Sequence, residues 1–148
     1  MTGENTYPAV AFNFAVKFNG GGISEEAGFK SVSGLNAELK TQEVKVGGGG
    51  QSFYRLPQYV QYNNLILKRG IIKSSTLRKW VTDAIFHFKI TPITVTISLL
   101  DDNSEPLLTW VAHNVWPVKW EIESFDSQDN KVAVETFELS FDYLTPPE

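Results

Sequence analysis

The sequence predicts a mainly β domain with one α-helix: an antiparallel barrel or sandwich, a long projecting hairpin and a flanking helix. Three observations carry that prediction. Apolar residues recur with period two in several segments, the mark of half-buried strands. One segment alone has helical spacing: Leu77, Trp80, Val81, Ala84, Ile85 and Phe88 fall on a single stripe of a helix over residues 75–88. A run of four glycines, Gly47, Gly48, Gly49 and Gly50, divides two arms too polar to enclose a core of their own.

In chain order, Phe12, Phe14, Val16 and Phe18 alternate with Asn13, Ala15 and Lys17 as a first strand, and Asn19 to Gly22 turn it. The next segment contains Phe29, Val32, Gly34, Leu35, Ala37 and Leu39, then becomes charged. Its apolar phase moves from odd to even positions between Leu39 and Val44, which predicts a bulge or a strand leaving the domain body. With the run through Tyr54, Tyr59, Tyr62, Leu65 and Leu67 it makes an extended hairpin over about residues 35–69. Gly70 permits a change of direction, and Ser74 or Ser75 caps the helix.

After the helix, Ile93, Val95, Ile97 and Leu99 form the cleanest alternating strand, and Asp101 to Pro106 turn it back. The return strand places Leu108, Trp110, Ala112, Trp116, Val118, Trp120 and Ile122 on even positions, with Pro117 marking an edge or a bulge. Beyond the turn at Phe125 to Asn130, the last strand shows Phe137, Leu139, Phe141 and Tyr143 on one face. The total is about six or seven strands in a single domain, residues 1–148, without repeat or linker.

Composition narrows the function classes. The chain has no cysteine, which excludes disulfides and thiolate metal sites. Its net charge of −4, with cations dispersed, argues against a nucleic-acid binder. The N-terminus shows no signal peptide and no apolar run reaches membrane-spanning length, so cytoplasmic synthesis and no membrane insertion are expected. Four tryptophans, five tyrosines and ten phenylalanines exceed what a core this small needs, leaving some for contact between subunits.

No catalytic constellation emerges, and neither cofactor nor metal is implied. His87 and His113 lack ligand-spaced partners. Asp101, Asp102, Asn103 and Glu105 lack the spacing of a calcium loop. The glycine run lacks the Lys-Ser or Lys-Thr and the helix of a phosphate loop. Glu121, Glu123, Glu135 and Glu138 read as the wet face of their strands rather than as a glycosidase pair. Lys68 and Arg69 point to opposite faces, so at most one faces the core, and that one needs a partner there. Otherwise the two serve as strand-end cations or meet an acidic partner. Trp110, Trp116, Trp120 and Phe125 suit a core better than a ligand platform, although a monomeric β-barrel module binding carbohydrate or peptide on them is the alternative reading.

Six stretches, in order, resemble the tail-tube protein family of contractile phages and phage-tail-like injection systems: FNFAVKFNG from Phe12, FKSVSGL from Phe29, LPQYVQYNNLILKRG from Leu56, TLRKW from Thr76, NVWPVKW from Asn114 and VAVETFELSFDYL from Val132. Gln58, where many relatives have glycine, and the long glycine run depart from the pattern. The resemblance implies a structural protein similar to the haemolysin-coregulated protein of type VI secretion. Six copies would form a ring, with rings stacked inside a sheath, bounded by baseplate and tube-terminating proteins, and with effector cargo or phage DNA in the lumen. It makes Glu38, Lys40, Gln42, Asn63 and Asn64 candidates for the lumen face, and Gly47 to Gly50 with Lys68 and Arg69 candidates for contacts between subunits. The glycine tip and the N-terminal segment are expected to bridge successive rings.

Overall fold

A computed structural model of the protein describes residues 13–47, 52–73, 75–126 and 131–147. Phe12, Gly48, Gly49, Gly50 and Ser74 lie outside the described residues, as do most of the N-terminal segment and residues 127–130 of the expected turn. In chain order the elements are β1 (Phe14–Gly20), β2 (Ile23–Phe29), β3 (Ser31–Ser33), β4 (Glu38–Lys45), β5 (Phe53–Gln61) and β6 (Leu65–Gly70). Helix α1 (Thr76–His87) follows, then β7 (Ile93–Leu100), β8 (Pro106–Asp126), β9 (Lys131–Ser140) and β10 (Tyr143–Thr145).

The main sheet runs β2-β1-β7-β8-β9-β6-β3, every pairing antiparallel, with β10 added to β8. Its two end strands, β2 and β3, are consecutive in the chain, joined at Lys30, whose N–H donates to the Lys68 carbonyl at 3.0 Å. The sheet therefore curls back on itself as a barrel. Val16, Phe18, Phe29, Leu65, Leu67, Val95, Ile97, Phe137 and Leu139 are fully buried inside it. Phe29 meets Phe137 edge-on with ring centroids 6.2 Å apart, a favourable aromatic geometry.

Several elements differ from the sequence-based expectation. Strand β2 arises in ISEEAGF, where no strand is expected, because Ile23 and Phe29 turn inward with Glu25 on the same phase. The extended hairpin is shorter than residues 35–69: it is the two-stranded β4–β5 ribbon, while Leu65, Leu67 and Arg69 alternate into the barrel as β6. The bulge foreseen near Leu39 exists, but β5 carries it. Lys40 pairs with Tyr59 and Thr41 with Pro57, so Gln58 is the extra residue.

The even-position reading of β8 holds through buried Ala112 and then fails, as Val115 and Pro117 turn inward. The cause is a left-handed backbone at Asn114 (φ 60°) and a second bulge between Pro117 and Lys119, which bend this 21-residue strand. Val118 and Ile122 consequently keep 38% and 47% of their surface exposed, while Leu108, 38% exposed, lies beside a separate irregularity where β8 pairs with Leu99 and Leu100 of β7.

Helix α1 starts at Ser75, whose Oγ accepts the Arg78 N–H at 3.1 Å, and stops at Phe88, which adopts a left-handed conformation (φ 53°). Leu77, Trp80, Val81 and Ala84 are buried. Ile85 and Phe88 are not: Ile85, in the last turn, is 39% exposed, and Phe88, just past the helix end in a left-handed conformation, is 83% exposed.

Candidate assembly interface

Two regions place their residues against the usual inside-outside rule. The first is where α1 meets the barrel. Glu135 on β9 shares the inward phase of Phe137 and Leu139 and is completely buried, not on the wet face. Its carboxylate accepts a bidentate pair from Arg78 of α1, Nε at 2.6 Å and Nη2 at 3.0 Å. The Trp120 indole N–H of β8 donates to it at 2.9 Å, and Arg69 Nε of β6 at 3.4 Å. Burial alone pushes the Glu135 carboxyl up. The hydrogen bonds from Arg78 and Trp120 and the Arg69 charge outweigh that and hold it below the usual carboxylate range.

Arg69, only 3% exposed, also donates to Ser75 Oγ at 3.1 Å, and its guanidinium lies 5.2 Å from the ring centroids of Phe29 and Phe137. From β2, Glu25 accepts the Leu77 N–H at 2.9 Å and closes the helix N-terminus beside the Ser75 cap. Four strands thus send polar groups to one helix. Arg69 is therefore no surface contact: its partner is internal, while Lys68 faces outward as the other half of the pair.

The second region is the ribbon. Strands β4 and β5 pair only with each other, so among the described residues both outer edges carry unpaired backbone N–H and C=O groups. Its side chains are exposed throughout except for half-buried Lys40, and Leu39, Phe53, Tyr54, Leu56, Tyr59 and Val60 are 46–62% exposed. On one face Glu38, Lys40, Gln42 and Val44 alternate, opposite Gln61, Tyr59, Leu56 and Tyr54; on the other, Leu39 sits opposite Val60 and Glu43 opposite Arg55.

The candidate lumen residues divide accordingly. Glu38, Lys40 and Gln42 share a ribbon face, with Lys40 Nζ 3.7 Å from Glu38 and the Gln58 amide 3.4 Å from Gln42 Oε1. Asn63 and Asn64 are elsewhere, in the connection from β5 to β6: Asn63 donates to Asn36 at 3.2 Å and Asn64 to Glu138 of the barrel at 2.9 Å. Of the glycine tip, Gly47 is described and exposed.

The remaining candidates for chemistry separate. His113 stacks on Tyr143 and bonds Thr145 Oγ1 at 2.6 Å, and His87 ends the helix. Asp101 uses its carboxylate on the N–H groups of Asn103 and Glu105, as a turn does. Trp110, Trp116 and Trp120 are half-buried and do not form one exposed platform; the Phe125 side chain is not among those described. Among the described residues, no three metal-ligating side chains converge and no helix is long and apolar enough to cross a membrane.

A closed barrel that spends its buried charges on holding a helix, and leaves a self-paired apolar ribbon outside, has the layout of a building block. Comparison with known proteins gives it a family: the chain belongs to the T4-like virus tail tube protein gp19 family, matched over residues 10–145. It is a structural tail tube protein of contractile injection systems, not an enzyme. Among solved structures it is similar to a chain of the anti-feeding prophage baseplate, described as 6-fold symmetrised, at 27% identity and TM-score 0.79, covering 95% of this chain and 96% of that one. It is similar also to a chain of an extracellular contractile injection system, the PVC sheath-tube complex in its extended state, at 30% identity and TM-score 0.73, covering 95% and 91%. Hcp1 from Flavobacterium johnsoniae, 15% identical with TM-score 0.61 over 90% and 94% of the two chains, shares the fold. Comparison with curated protein sequences found no match.

Proposed function

We propose that this chain builds the inner tube of a contractile injection particle: six copies close into a ring, rings stack inside a sheath, and contraction drives the tube through a target envelope with cargo in its lumen. What supports this reading is the β4–β5 ribbon, whose edges are unpaired and whose apolar side chains are exposed among the described residues, so that another chain can cover them. Copies meeting head to tail around a closed ring cover such edges without leaving new ones. The polar face with Glu38, Lys40 and Gln42 then lines the channel, and Gly47 to Gly50 lie between rings. Sheath, baseplate and cap are the partners by analogy: similar chains belong to a sheath-tube complex, a baseplate and a tube-terminating cap. Assembly supplies the mechanics, so cargo passes and the chain makes or breaks no bond.

Size-exclusion chromatography with negative-stain microscopy of the purified chain tests the proposal. Rings or tubes are expected, and shortening Gly47 to Gly50 should impair stacking more than folding. A protein that stays monomeric at high concentration, with no annular or filamentous objects under any condition, would overturn it.

A further inference from the structure

Strand β6 stands between two unlike apolar surfaces. At its Leu65 end the chain arrives from the ribbon; at its Gly70 end the chain leaves for α1. On the α1 side, Phe86 is 65% exposed and stands edge-on to Trp120, ring centroids 6.3 Å apart. Ile122 lies two residues beyond Trp120, on the same face of β8, and is 47% exposed. Ile85 in the last turn of α1 and Phe88 just past it add exposed apolar side chains at the same end of the helix, at 39% and 83% exposure. At full aromatic areas of 150–250 Å², the four side chains leave on the order of 400 Å² of apolar surface in water, the size at which a monomer's largest patch calls for a function.

We propose that this helix edge, Ile85, Phe86, Phe88 and Ile122, receives the β4–β5 ribbon of a second copy in a head-to-tail contact. The inference rests on the tube reading and names the surface that reading requires. Three features select a second copy as the occupant. The two surfaces differ, so they suit a heterologous contact, in which each copy uses one to give and one to receive. The ribbon is long enough: eight residues of β4 span roughly 27 Å, against about 20 Å for the six residues of β6. The carboxylates on both surfaces already sit beside cations of their own, Glu43 4.0 Å from Arg55 on the ribbon and Asp83 3.2 Å from Lys79 on the helix, and the exposed Lys45 and Lys89 at the margins stay in water. A ribbon and a helix edge, each used once per copy, together approach the ~800 Å² per partner of a stable interface.

The absence of cysteine makes the test direct. A Phe88→Cys chain is mixed with a Leu39→Cys or Phe53→Cys chain, both on the ribbon face turned away from Glu38, Lys40 and Gln42, assembled and oxidised. At least one mixture should yield a covalent dimer several-fold above either variant alone, and only in assembled material. Tubes visible by microscopy with no such dimer from any mixture would overturn the pairing while leaving the tube proposal standing. Wild-type protein that forms neither rings nor tubes would overturn the tube proposal itself. As a second readout, Phe88→Ser, at a side chain 83% exposed, should leave thermal unfolding of the monomer nearly unchanged and lower the tube yield several-fold; tubes of normal length and yield from that variant would also sink the pairing.

Discussion

The junction of α1 with the barrel and the β4–β5 ribbon invert the hydrophobic rule in opposite senses. At the junction a carboxylate and a guanidinium are buried, Glu135 at 0% and Arg69 at 3% exposure; on the ribbon Tyr54 and Leu56 stand in water at 62% and 48%. The buried charges have their partners within the chain, since Glu135 takes hydrogen bonds from Arg69, Arg78 and Trp120. The exposed apolar groups have none. A violation satisfied internally belongs to folding, and one left unsatisfied belongs to assembly. The two regions should therefore respond differently to substitution: the junction through stability, the ribbon through association.

The largest expected effect breaks the junction. Glu135→Gln removes the charge but not the volume and strands two guanidinium groups, one of them buried, so denaturant unfolding should show a loss of about 3–5 kcal/mol. Glu135→Leu combined with Arg69→Met should recover part of it, because exchanging the buried Arg69 pair for apolar groups of similar size is close to neutral while Arg78 and the Trp120 indole still lose their acceptor. Acidification tests the same carboxylate. Its folded pKa lies below its unfolded value, so its stabilisation is full above roughly pH 4.3 and is lost as pH falls through the folded value. Unfolding free energy followed from pH 6 downward should drop below that point in the wild type, and the drop should be shallower in Glu135→Gln.

Gly34 holds the root of the ribbon against the barrel, and its substitution acts on both regions at once. Its φ of +93° suits glycine, and a Cβ there would run into the Asn64 carbonyl and the Leu65 backbone. Gly34→Ala should cost about 1–3 kcal/mol in thermal or denaturant unfolding. Ser75→Ala removes the helix cap and one acceptor of Arg69, with an expected loss of about 1 kcal/mol by the same measurement.

Much of the barrel was legible because alternation is a local signal. Leu65 and Leu67 set a phase that continues to Arg69, and Phe137 and Leu139 set one that runs back to Glu135, so both ions could have been placed inward by counting in twos. What hid the pair is that 66 residues separate its members, and composition makes a lone glutamate look solvated. Strand β2 was missed for a related reason: Glu25 occupies an inward position, and its use is to close a helix N-terminus 52 residues away. The turn of phase in β8 depends on a left-handed Asn114 and a bulge, and neither leaves an unambiguous trace in residue type. Of the interface, the glycine run and the polar arms announced a projecting ribbon. The exposed edge of α1 was concealed, because Ile85 continues the helical stripe but stays 39% exposed, and the backbone leaves the helix at Phe88.

The smallest effect on stability should carry the largest effect on assembly. Leu39 on β4 and Phe53 on β5 share the ribbon face turned away from Glu38, Lys40 and Gln42, are 58% and 53% exposed, and among the described residues lie on strands that pair only with each other. Changing both to serine should therefore shift monomer unfolding by no more than about 0.5 kcal/mol, the range of ordinary surface substitutions. If a second copy covers them, the same change puts hydroxyls where an apolar contact is made and lowers the tube fraction seen by sedimentation and negative stain. A cooperative loss of several kcal/mol in the monomer would place the ribbon within the folding unit and erase its contrast with the junction. An unaltered unfolding curve joined to a missing tube would separate, in one variant, the residues that fold this chain from those that join it to the next.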